Sequence, residues 1–420
     1  MTEPVALAQT LRDASRIVAR VAAGRSLADE FGEAAPGRAA RLDLTYGTLR
    51  RYGRNQALVR ALARRGRPAP EVEALLWCAF YALESGRYAA YTVVDQAVRA
   101  CGLIEQWSAK GFVNGMLRSF LREQGSLEAR IQADPEVRYQ HPRWWIDLLR
   151  EAYPEQWEAA LAAGNSHPPM ALRVNRRRID PAGYGTKLAA TGIGAARVGD
   201  DGLLLEQPVP VQRLPGFADG EASVQDLGAQ RAVTCLALAD GQRVLDACAA
   251  PGGKSAHIVE RADVALTALD VDAARLERLR ANLARLKLDA RILAGDAGSP
   301  EHWWDGVRFD RVLADVPCTS SGVARRHPDL KWLRRASDVP AFAARQGALL
   351  DALWQLLSAD GKLLYVTCSV FPGENEAVVT DFLARTPDAR RAALPDDGPA
   401  QLLPGPQHDG FFFALIEKRT

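Results

Sequence analysis

The sequence lacks the cysteine spacing and the long apolar runs that would assign it to a metal-binding, secreted or membrane class. None of its six cysteines forms a Cys-x-x-Cys pair, so neither a zinc site nor a disulfide framework is indicated. No apolar run approaches the ~20 residues that span a bilayer, and Met1–Pro4 lack the basic and apolar order of a signal peptide. We therefore expect free thiols in a reducing cytoplasm, with no metal and no membrane role.

Two common nucleotide-binding signatures are missing as well. The chain contains neither G-x-G-x-x-G nor G-x-x-x-x-G-K-[ST], which disfavours a dinucleotide fingerprint and a phosphate-binding P-loop. Internal repeats and low-complexity segments are also absent. What remains is a chain of 420 residues that is 48% hydrophobic, which is enough for two or three well-packed domains.

Hydrophobic periodicity changes along the chain and predicts its organisation. Near the N-terminus Leu7, Leu11 and Ala14 recur at helical spacing, whereas strands and helices alternate in the C-terminal half, as in a mostly parallel, doubly wound sheet. The predicted parts are an all-α bundle (1–130), a helical connector (131–168), a small α/β subdomain (169–235) and a Rossmann-like α/β domain (236–420). Phe411–Ile416 is expected to add an antiparallel strand at the sheet edge, and Asp388–Gly405 to form a loop.

Positive charge is concentrated in the predicted bundle. Residues 1–130 contain 19 Lys and Arg against 13 Asp and Glu, a net charge of +6, whereas the remainder carries −4. No acidic residue occurs between Asp43 and Glu71, a stretch that contains Arg50, Arg51, Arg54, Arg60, Arg64, Arg65 and Arg67. With Tyr46 and Tyr52 nearby, these arginines favour phosphate contact and base stacking. The alternative is a solvated face in a chain rich in arginine.

The C-terminal half is organised around an apolar strand that leads through a Gly-Pro turn into a helix, Val244–Ser255. Gly252 and Gly253 would let the backbone approach a ligand, because they have no Cβ atom. Asp270 ends the next strand 18 residues after Gly252, near the spacing at which a carboxylate binds ribose hydroxyls. Asp296 and Asp315 follow two further strands. Asp favours turns in general, and this preference could explain any one of these carboxylates. It explains poorly why carboxylates follow several strands in succession.

Two cysteines stand at predicted strand ends on the same edge as this turn. Cys318 follows Asp315, and Cys368 ends a strand 50 residues later. A thiolate is a strong nucleophile near neutral pH, whereas Cys78, Cys101 and Cys235 fit small buried apolar side chains.

A nucleophile, an acid and a proton acceptor at one site would suit methylation of pyrimidine carbon 5. That carbon attacks a methyl sulfonium only after a thiolate has added at carbon 6, and a base must then remove its proton. Cys368, Asp315 and Cys318 could supply these functions. Beyond the Cys318 turn, Arg325, Arg326, His327 and Lys331 read as a loop that holds substrate, or as an ordinary exposed loop.

These segments together resemble the NOL1/NOP2/Sun family of RNA cytosine-C5 methyltransferases. The resemblance rests on Asp246–Lys254, Asp270, Gly295-Asp296, Asp315–Cys318 and Thr367–Ser369, and the helical N-terminus resembles the NusB-type RNA-binding fold. Val316 and Thr319 stand where Ala and Ser are common in the family. The resemblance implies a Rossmann-like methyltransferase domain and, as substrate, 16S rRNA or a small-subunit assembly intermediate.

The family also implies a function for individual residues. It assigns S-adenosylmethionine to the turn residues Cys248, Ala249, Ala250, Pro251, Gly252, Gly253 and Lys254, with Asp315 beside them. Asp270 would contact the ribose and Asp296 the adenine. Cys368 matches the nucleophile and Cys318 the cysteine that assists product release. We further expect a monomer, with Arg50, Arg51 and Arg54 among the RNA contacts.

Three other interpretations stay open at this point. The chain could be an RNA-binding or antitermination factor without catalysis, since the basic bundle alone would serve that function. It could also methylate a protein or a small molecule, or another RNA such as tRNA. The first two interpretations leave the paired cysteines without a use.

Overall fold

A computed structural model describes residues 6–31, 37–63 and 66–419, so Arg64 and Arg65 lie outside the described residues. The chain forms two compact units. Unit 1 comprises Met1–Ser166 together with Ala324–Ala336, and unit 2 comprises His167–Val323 together with Ser337–Thr420. The first division thus falls beside the Pro168-Pro169 pair, and the finer boundaries near residues 130 and 235 stay predictions.

Unit 1 is helical, which confirms the predicted all-α bundle. Its helices are α1 (Leu7–Ala22), α2 (Arg38–Arg50), α3 (Tyr52–Leu62), α4 (Pro70–Glu84), α5 (Ala90–Leu103), α6 (Lys110–Ile131), α7 (Pro135–Tyr139), α8 (Arg143–Ala152) and α9 (Trp157–Asn165). Helix α4 begins at a proline and packs against α1, α2, α3, α5 and α6, so it forms the centre of the bundle. Leu75, Leu76 and Phe80 are accordingly fully buried.

Unit 2 begins with a small antiparallel sheet. Its strands are β1 (Ala171–Val174), β2 (Ala195–Val198), β3 (Gly202–Leu205) and β4 (Ala222–Val224), in the order β2-β3-β1-β4, and α10 (Pro181–Ala190) packs on it. Arg173 of β1 is fully buried, and its guanidinium pairs with Glu260 at 2.6 Å. The same guanidinium donates to the carbonyl oxygen of Gly253 at 2.7 Å, so the small sheet supports the start of a helix in the main domain.

The main sheet follows the predicted alternation of strands and helices. Its strands are β5 (Arg243–Asp246), β6 (Ala265–Asp270), β7 (Arg291–Ala294), β8 (Phe309–Asp315), β9 (Leu357–Thr367), β10 (Ala389–Ala392), β11 (Gln401–Leu402) and β12 (Phe411–Lys418). The helices are α11 (Leu227–Cys235), α12 (Gly253–Arg261), α13 (Ala273–Leu286), α14 (Leu330–Leu333, part of unit 1), α15 (Asp338–Trp354) and α16 (Glu376–Arg385). A mostly parallel, doubly wound sheet is thereby confirmed.

Strand order explains where the site lies. The order is β10-β12-β9-β8-β5-β6-β7, with β5 to β9 pairing in parallel and β12 antiparallel to β9. The chain reverses its direction across the sheet between β5 and β8, and ligands bind beyond the strand ends at such a point. The sequence predicted this strand at the sheet edge, which is wrong. Strands β10 and β11 pair with the side of β12 that faces away from β9. These two strands come from the segment that was predicted to be a loop.

The segment Ala324–Ala336 is built into unit 1. The Leu27 amide donates to the Asp329 carboxylate at 3.0 Å, and the Arg50 guanidinium donates to the Arg325 carbonyl oxygen at 2.9 Å. The Lys331 ammonium donates to the Asn165 side-chain oxygen at 2.8 Å. These contacts order the segment from both of its ends.

This arrangement weighs against RNA contacts by Arg325 and Lys331, which stay predictions. Their relative exposures are 1% and 0%, because each packs inside unit 1. A buried cation cannot reach a phosphate in this conformation, so both residues serve the packing of the segment. Arg326 is partly exposed and His327 is exposed, and an RNA contact by these two stays a prediction.

We expect replacement of Lys331 by methionine to change how the stability of unit 1 depends on pH. Burial lowers the pKa of Lys331 to about 7, and the nearby Arg50 charge acts in the same direction. Above pH 7 the unfolded chain therefore binds more protons than the folded one. The free energy of unfolding should rise with pH by up to about 1.4 kcal/mol per pH unit, until the ordinary lysine pKa is reached. Lys331→Met lacks this rise, so the variant loses stability relative to the parent as pH increases.

Urea titrations between about pH 7 and pH 9, with hydrogen exchange of unit 1 peptides as the readout, would measure this difference in stability. Lys110→Met removes a partly exposed lysine of the same unit and is the matched control. If the free energy of unfolding of Lys331→Met differed from that of the parent by the same amount across this pH range, the lowered pKa of Lys331 would be contradicted.

Candidate active site

The turn after β5 is shaped for close approach by a ligand. Gly252 has a φ of +98°, and a Cβ atom at this position would lie 2.8 Å from the Leu279 side chain. The next residue, Gly253, starts α12, so backbone N–H groups at the helix start face the end of the sheet. A side chain at Gly252 would therefore disturb both the backbone conformation and the packing on α13.

Asp246 ends β5 and is buried behind this turn. One carboxylate oxygen accepts from the Ser255 hydroxyl at 2.6 Å, whereas the other has no hydrogen-bond partner among the described residues. Burial raises the pKa of Asp246 to about 7. A buried acceptor without a donor is unfavourable, and a ligand that donates a hydrogen bond here would satisfy it.

Asp270 and Asp296 end the next two strands and differ in exposure. The Asp270 carboxylate is buried, and it accepts from the amides of Ala250 at 2.9 Å and Asp272 at 3.0 Å. It therefore holds the turn in place while keeping lone pairs for a ligand. Asp296 is exposed, and its carboxylate accepts from the Gly298 amide at 2.9 Å.

Asp315 and Lys254 form an ion pair at the centre of the site. Asp315 ends β8, which is the neighbour of β5, and its carboxylate lies 2.6 Å from the Lys254 ammonium. Burial is the largest single influence and lowers the pKa of Lys254, but the charge and hydrogen bond of Asp315, together with Cys368 and Asp246, outweigh it and raise the pKa above its ordinary value. Lys254 thus stays protonated beside this carboxylate.

Cys318 and Cys368 meet at the ends of adjacent parallel strands. Cys368 directly follows β9, Cys318 follows β8 by three residues, and Asp315 is in register with Val366 across the pair. The two sulfur atoms are 3.3 Å apart, a hydrogen-bond distance, and both thiols are free. The structure therefore brings together the two cysteines that the sequence had singled out.

The two thiols have opposite electrostatic environments. The hydrogen bond with Cys368, together with burial, raises the pKa of the Cys318 thiol. The same hydrogen bond is the main cause that lowers the pKa of Cys368; Ser320 and Lys254 act in the same direction, against burial and Asp315. Cys368 therefore has the greater thiolate character of the two thiols.

The remaining cysteines do not have such an environment. Burial raises the pKa of Cys78 and Cys235 to about 12 and also raises that of Cys101. In the turn, burial and then the neighbouring carboxylates raise the pKa of Cys248 strongly. Near neutral pH these thiols are therefore poor nucleophiles.

Arg173 and Glu374 support the site, and sequence reasoning missed both. Arg173 reaches Gly253 at the start of α12 from a different sheet, and Glu374 hydrogen-bonds with the residue after each strand-end cysteine. A charged residue inside an apolar strand was the available signal for Arg173. For Glu374 it was an acidic residue in the Pro-Gly turn that follows Cys368.

The bundle arginines of unit 1 make internal contacts. Arg54 pairs with Glu84 and Glu128, each at 2.6 Å, and Arg51 pairs with Glu84 at 2.7 Å. Arg50 donates to a backbone carbonyl, as described above. These contacts weigh against direct RNA binding by the three arginines, which stays a prediction.

Exposed aromatic rings and cations lie instead on α5, on α6 and in the turn between them. Tyr91 and Trp107 are 80% and 65% exposed, and the Lys110 ammonium lies 4.5 Å from the centre of the Trp107 ring. Tyr91, Lys110, Arg118 and Leu121 line a groove of about 640 Å³. Neither Lys110 nor Arg118 forms an ion pair with any residue that the structure describes.

Residues 6–31, 37–63 and 66–419 contain neither a metal-binding cluster nor a membrane-spanning helix. No group of three His, Cys, Asp or Glu side chains could hold a metal ion there. None of the helices in these ranges is long and apolar enough to cross a membrane.

Comparison with known families covers both units. Residues 9–122 match the NusB family, residues 141–212 match the ferredoxin-like domain of RsmF/B-like methyltransferases, and residues 233–417 match the family described as 16S rRNA methyltransferase RsmB/F. The NusB match agrees with the helical bundle of unit 1, and the third match contains both strand-end cysteines.

Similar proteins extend over most of the chain. Ribosomal RNA small subunit methyltransferase B of Pseudomonas putida is 46% identical, covering 90% of this chain and 89% of that protein. The protein of the same name from Vibrio cholerae is 43% identical, covering 90% and 88%. A crystal structure of a methyltransferase homologue from Pyrococcus horikoshii is 26% identical with a TM-score of 0.59, covering 67% of this chain and 97% of that one. The chain belongs to the 16S rRNA methyltransferase RsmB/F family.

Proposed function

We propose that this protein transfers a methyl group from S-adenosylmethionine to carbon 5 of a cytosine in 16S rRNA, at position 967 by its family resemblance. The observation that carries the proposal is the pair of thiols 3.3 Å apart beside the Asp315–Lys254 ion pair. A methyltransferase for nitrogen or oxygen has no need of a second cysteine at this place. A small-subunit rRNA substrate also agrees with the names of the relatives and implies a cytoplasmic location.

The residues of the β5 turn fit S-adenosylmethionine. The cofactor carries a sulfonium and an ammonium group, and Asp246, Asp270 and Asp315 supply negative charge at three neighbouring strand ends. The unpartnered Asp246 oxygen is an acceptor for a donor of the ligand. We assign the ribose to Asp270, the adenine to Asp296 and the remaining contacts to Cys248–Lys254. The bound cofactor supplies an electrophilic methyl group.

Cys368 is the nucleophile in the proposed mechanism. Its lowered pKa favours the thiolate, which adds to carbon 6 of the cytosine and makes carbon 5 nucleophilic. Asp315 acts as the acid at ring nitrogen 3, and the Lys254 ammonium holds this carboxyl group in place by a hydrogen bond at 2.6 Å. The ring must leave its stack to reach these groups, which requires less energy in loop RNA than in a duplex.

Cys318 assists release of the product. After methyl transfer, the carbon 5 proton must leave before the bond between carbon 6 and the Cys368 sulfur can break. Cys318 first gives its proton to water, and its thiolate, whose pKa is raised, is then a strong base that takes the carbon 5 proton while the Cys368 thiolate leaves carbon 6. The Cys318 sulfur lies 3.3 Å from the Cys368 sulfur, which places it beside the bonded ring. The two cysteines therefore have different functions although they are neighbours.

Bisulfite sequencing of total RNA, with and without the gene for this protein, tests the proposal. We expect one protected cytosine in 16S rRNA to become fully convertible when the gene is deleted, and the wild-type gene to restore protection. Cys368→Ala should fail to restore it. A change confined to tRNA would favour that alternative substrate, and no change in any RNA would favour a binding factor without catalysis.

We further propose that unit 1 contacts single-stranded RNA through the α5–α6 groove. Tyr91 and Trp107 offer exposed rings for base stacking, and Lys110 and Arg118 offer charges that form no ion pair with a described residue, although Asp95 also lines the groove. Arg51 and Arg54, which the sequence predicted to contact RNA, instead form ion pairs with Glu84 within the bundle.

Binding of a labelled single-stranded RNA oligonucleotide to the full chain would test this surface. The double variant Lys110→Gln/Arg118→Gln should bind more weakly, and its salt dependence should flatten by about one unit of slope for each lost phosphate contact. Arg12→Gln/Arg20→Gln removes the same charge from cations that are paired with Asp13 and Glu30. Equal weakening in both double variants would indicate a general charge effect and exclude the groove.

A further inference from the structure

Glu374 connects the two turns that carry the paired cysteines. It lies six residues after Cys368 and is 0% exposed. Its carboxylate accepts from the Thr319 amide at 2.8 Å, from the Thr319 hydroxyl at 2.5 Å and from the Ser369 hydroxyl at 2.7 Å. Thr319 directly follows Cys318, and Ser369 directly follows Cys368. One carboxylate therefore holds the residue next to each thiol.

The neighbours of Glu374 strengthen this connection. The Gln346 amide donates to the Pro317 carbonyl oxygen at 2.9 Å and to the Glu374 carboxylate at 3.3 Å. The Tyr365 hydroxyl lies 2.6 Å from the Glu374 carbonyl oxygen. The Asn375 amide donates to the Ser369 carbonyl oxygen at 3.0 Å. Gln346, Glu374 and Asn375 thus form a buried polar network around the two turns.

The charge of Glu374 has no cation to balance it. Its carboxylate forms no ion pair within the described residues, and burial raises its pKa although the Thr319 and Ser369 hydrogen bonds oppose this. Burying a carboxylate without a cation is unfavourable unless several donors stabilise it. A carboxylate only accepts hydrogen bonds, so both oxygens of Glu374 can accept from these four donors. A glutamine amide has one acceptor oxygen and could accept from only some of them.

We propose that Glu374 is a positioning residue that sets the spacing of the two thiols and assigns the proton between them to Cys318. The inference rests on the proposed function, because it explains how the chain keeps Cys368 as the reactive thiol. The hydrogen bond with Cys368 and burial are the main causes of the raised Cys318 pKa, and the Glu374 charge adds to them. The other titratable groups that act on the pair are Asp315 and Lys254, at Cys368, and Tyr365, at Cys318.

Residue-resolved alkylation of the full chain tests this inference without RNA or cofactor. Iodoacetamide rates at Cys318 and Cys368 would be measured against pH by mass spectrometry of their peptides. Glu374→Gln should reduce the ratio of the Cys368 rate to the Cys318 rate by roughly tenfold near neutral pH, as a change of one unit in the pKa difference would give. The pH profile of Cys368 should move upward and that of Cys318 downward.

Glu376→Gln is the matched control, because this carboxylate is exposed and pairs with Arg391 on the surface. It should leave both alkylation profiles unchanged. In methyl transfer to RNA, Glu374→Gln should lower kcat with little change in KM, since substrate binding does not involve the buried carboxylate.

A second variant covers the case in which Glu374→Gln does not fold. Thr319→Val removes one donor to the carboxylate and preserves the shape of the side chain. It should move each thiol's pH profile in the direction that Glu374→Gln moves it, by a smaller amount. Wild-type profiles in either folded variant would overturn the inference. If the protein did not methylate cytosine, the alkylation result would still decide the function of Glu374.

Discussion

Parallel pairing of β8 with β9 is the constraint on which the rest of the site depends. Because neighbouring parallel strands end at the same edge of a sheet, the residues after Asp315 and Thr367 emerge side by side. The amide of Val316 continues the pairing by donating to the Val366 carbonyl oxygen at 3.1 Å. The thiols of Cys318 and Cys368 then approach to 3.3 Å. A slip in this register would separate the thiols and move one of them to the other face of the sheet.

Electrostatics gives the two thiols different chemistry. Lys254 lies on the cofactor turn, and its ammonium pairs with Asp315 and also favours a thiolate at Cys368. On the other side, Glu374 disfavours a thiolate at Cys318. The hydrogen bond between the thiols is the main cause of their difference, and Lys254 and Glu374 reinforce it. One lysine therefore connects the proposed cofactor turn with the proposed nucleophile.

Much of unit 2 could be predicted from the sequence, because apolar strands, turn glycines and strand-end carboxylates are local patterns. Asp246, Asp270 and Asp315 follow from this reading, and so do both cysteines. Which cysteine attacks did not follow, since that depends on the surroundings of each sulfur. Glu374 was missed because its partners, Thr319 and Ser369, become its neighbours only through the pairing of β8 with β9.

Burial of cations was the least predictable feature. Arg325 and Lys331 look like an exposed basic loop, yet the segment packs inside unit 1, where the Asn165 side-chain oxygen and the Arg50 carbonyl oxygen accept from Lys331. Arg51 and Arg54 similarly meet Glu84, which lies about 30 residues further along the chain. Counts of charge show where positive residues are frequent. They do not show which of them keep a free charge.

The central claim is that Cys368 bonds transiently to the pyrimidine while Cys318 completes the reaction. The most direct measurement is denaturing electrophoresis of cysteine variants after incubation with substrate RNA and S-adenosylmethionine. We expect Cys318→Ser to accumulate a covalent protein–RNA adduct that maps to the Cys368 peptide, and Cys368→Ala to form none and to lose turnover. An adduct in the Cys368 variant and none in the Cys318 variant would contradict the claim.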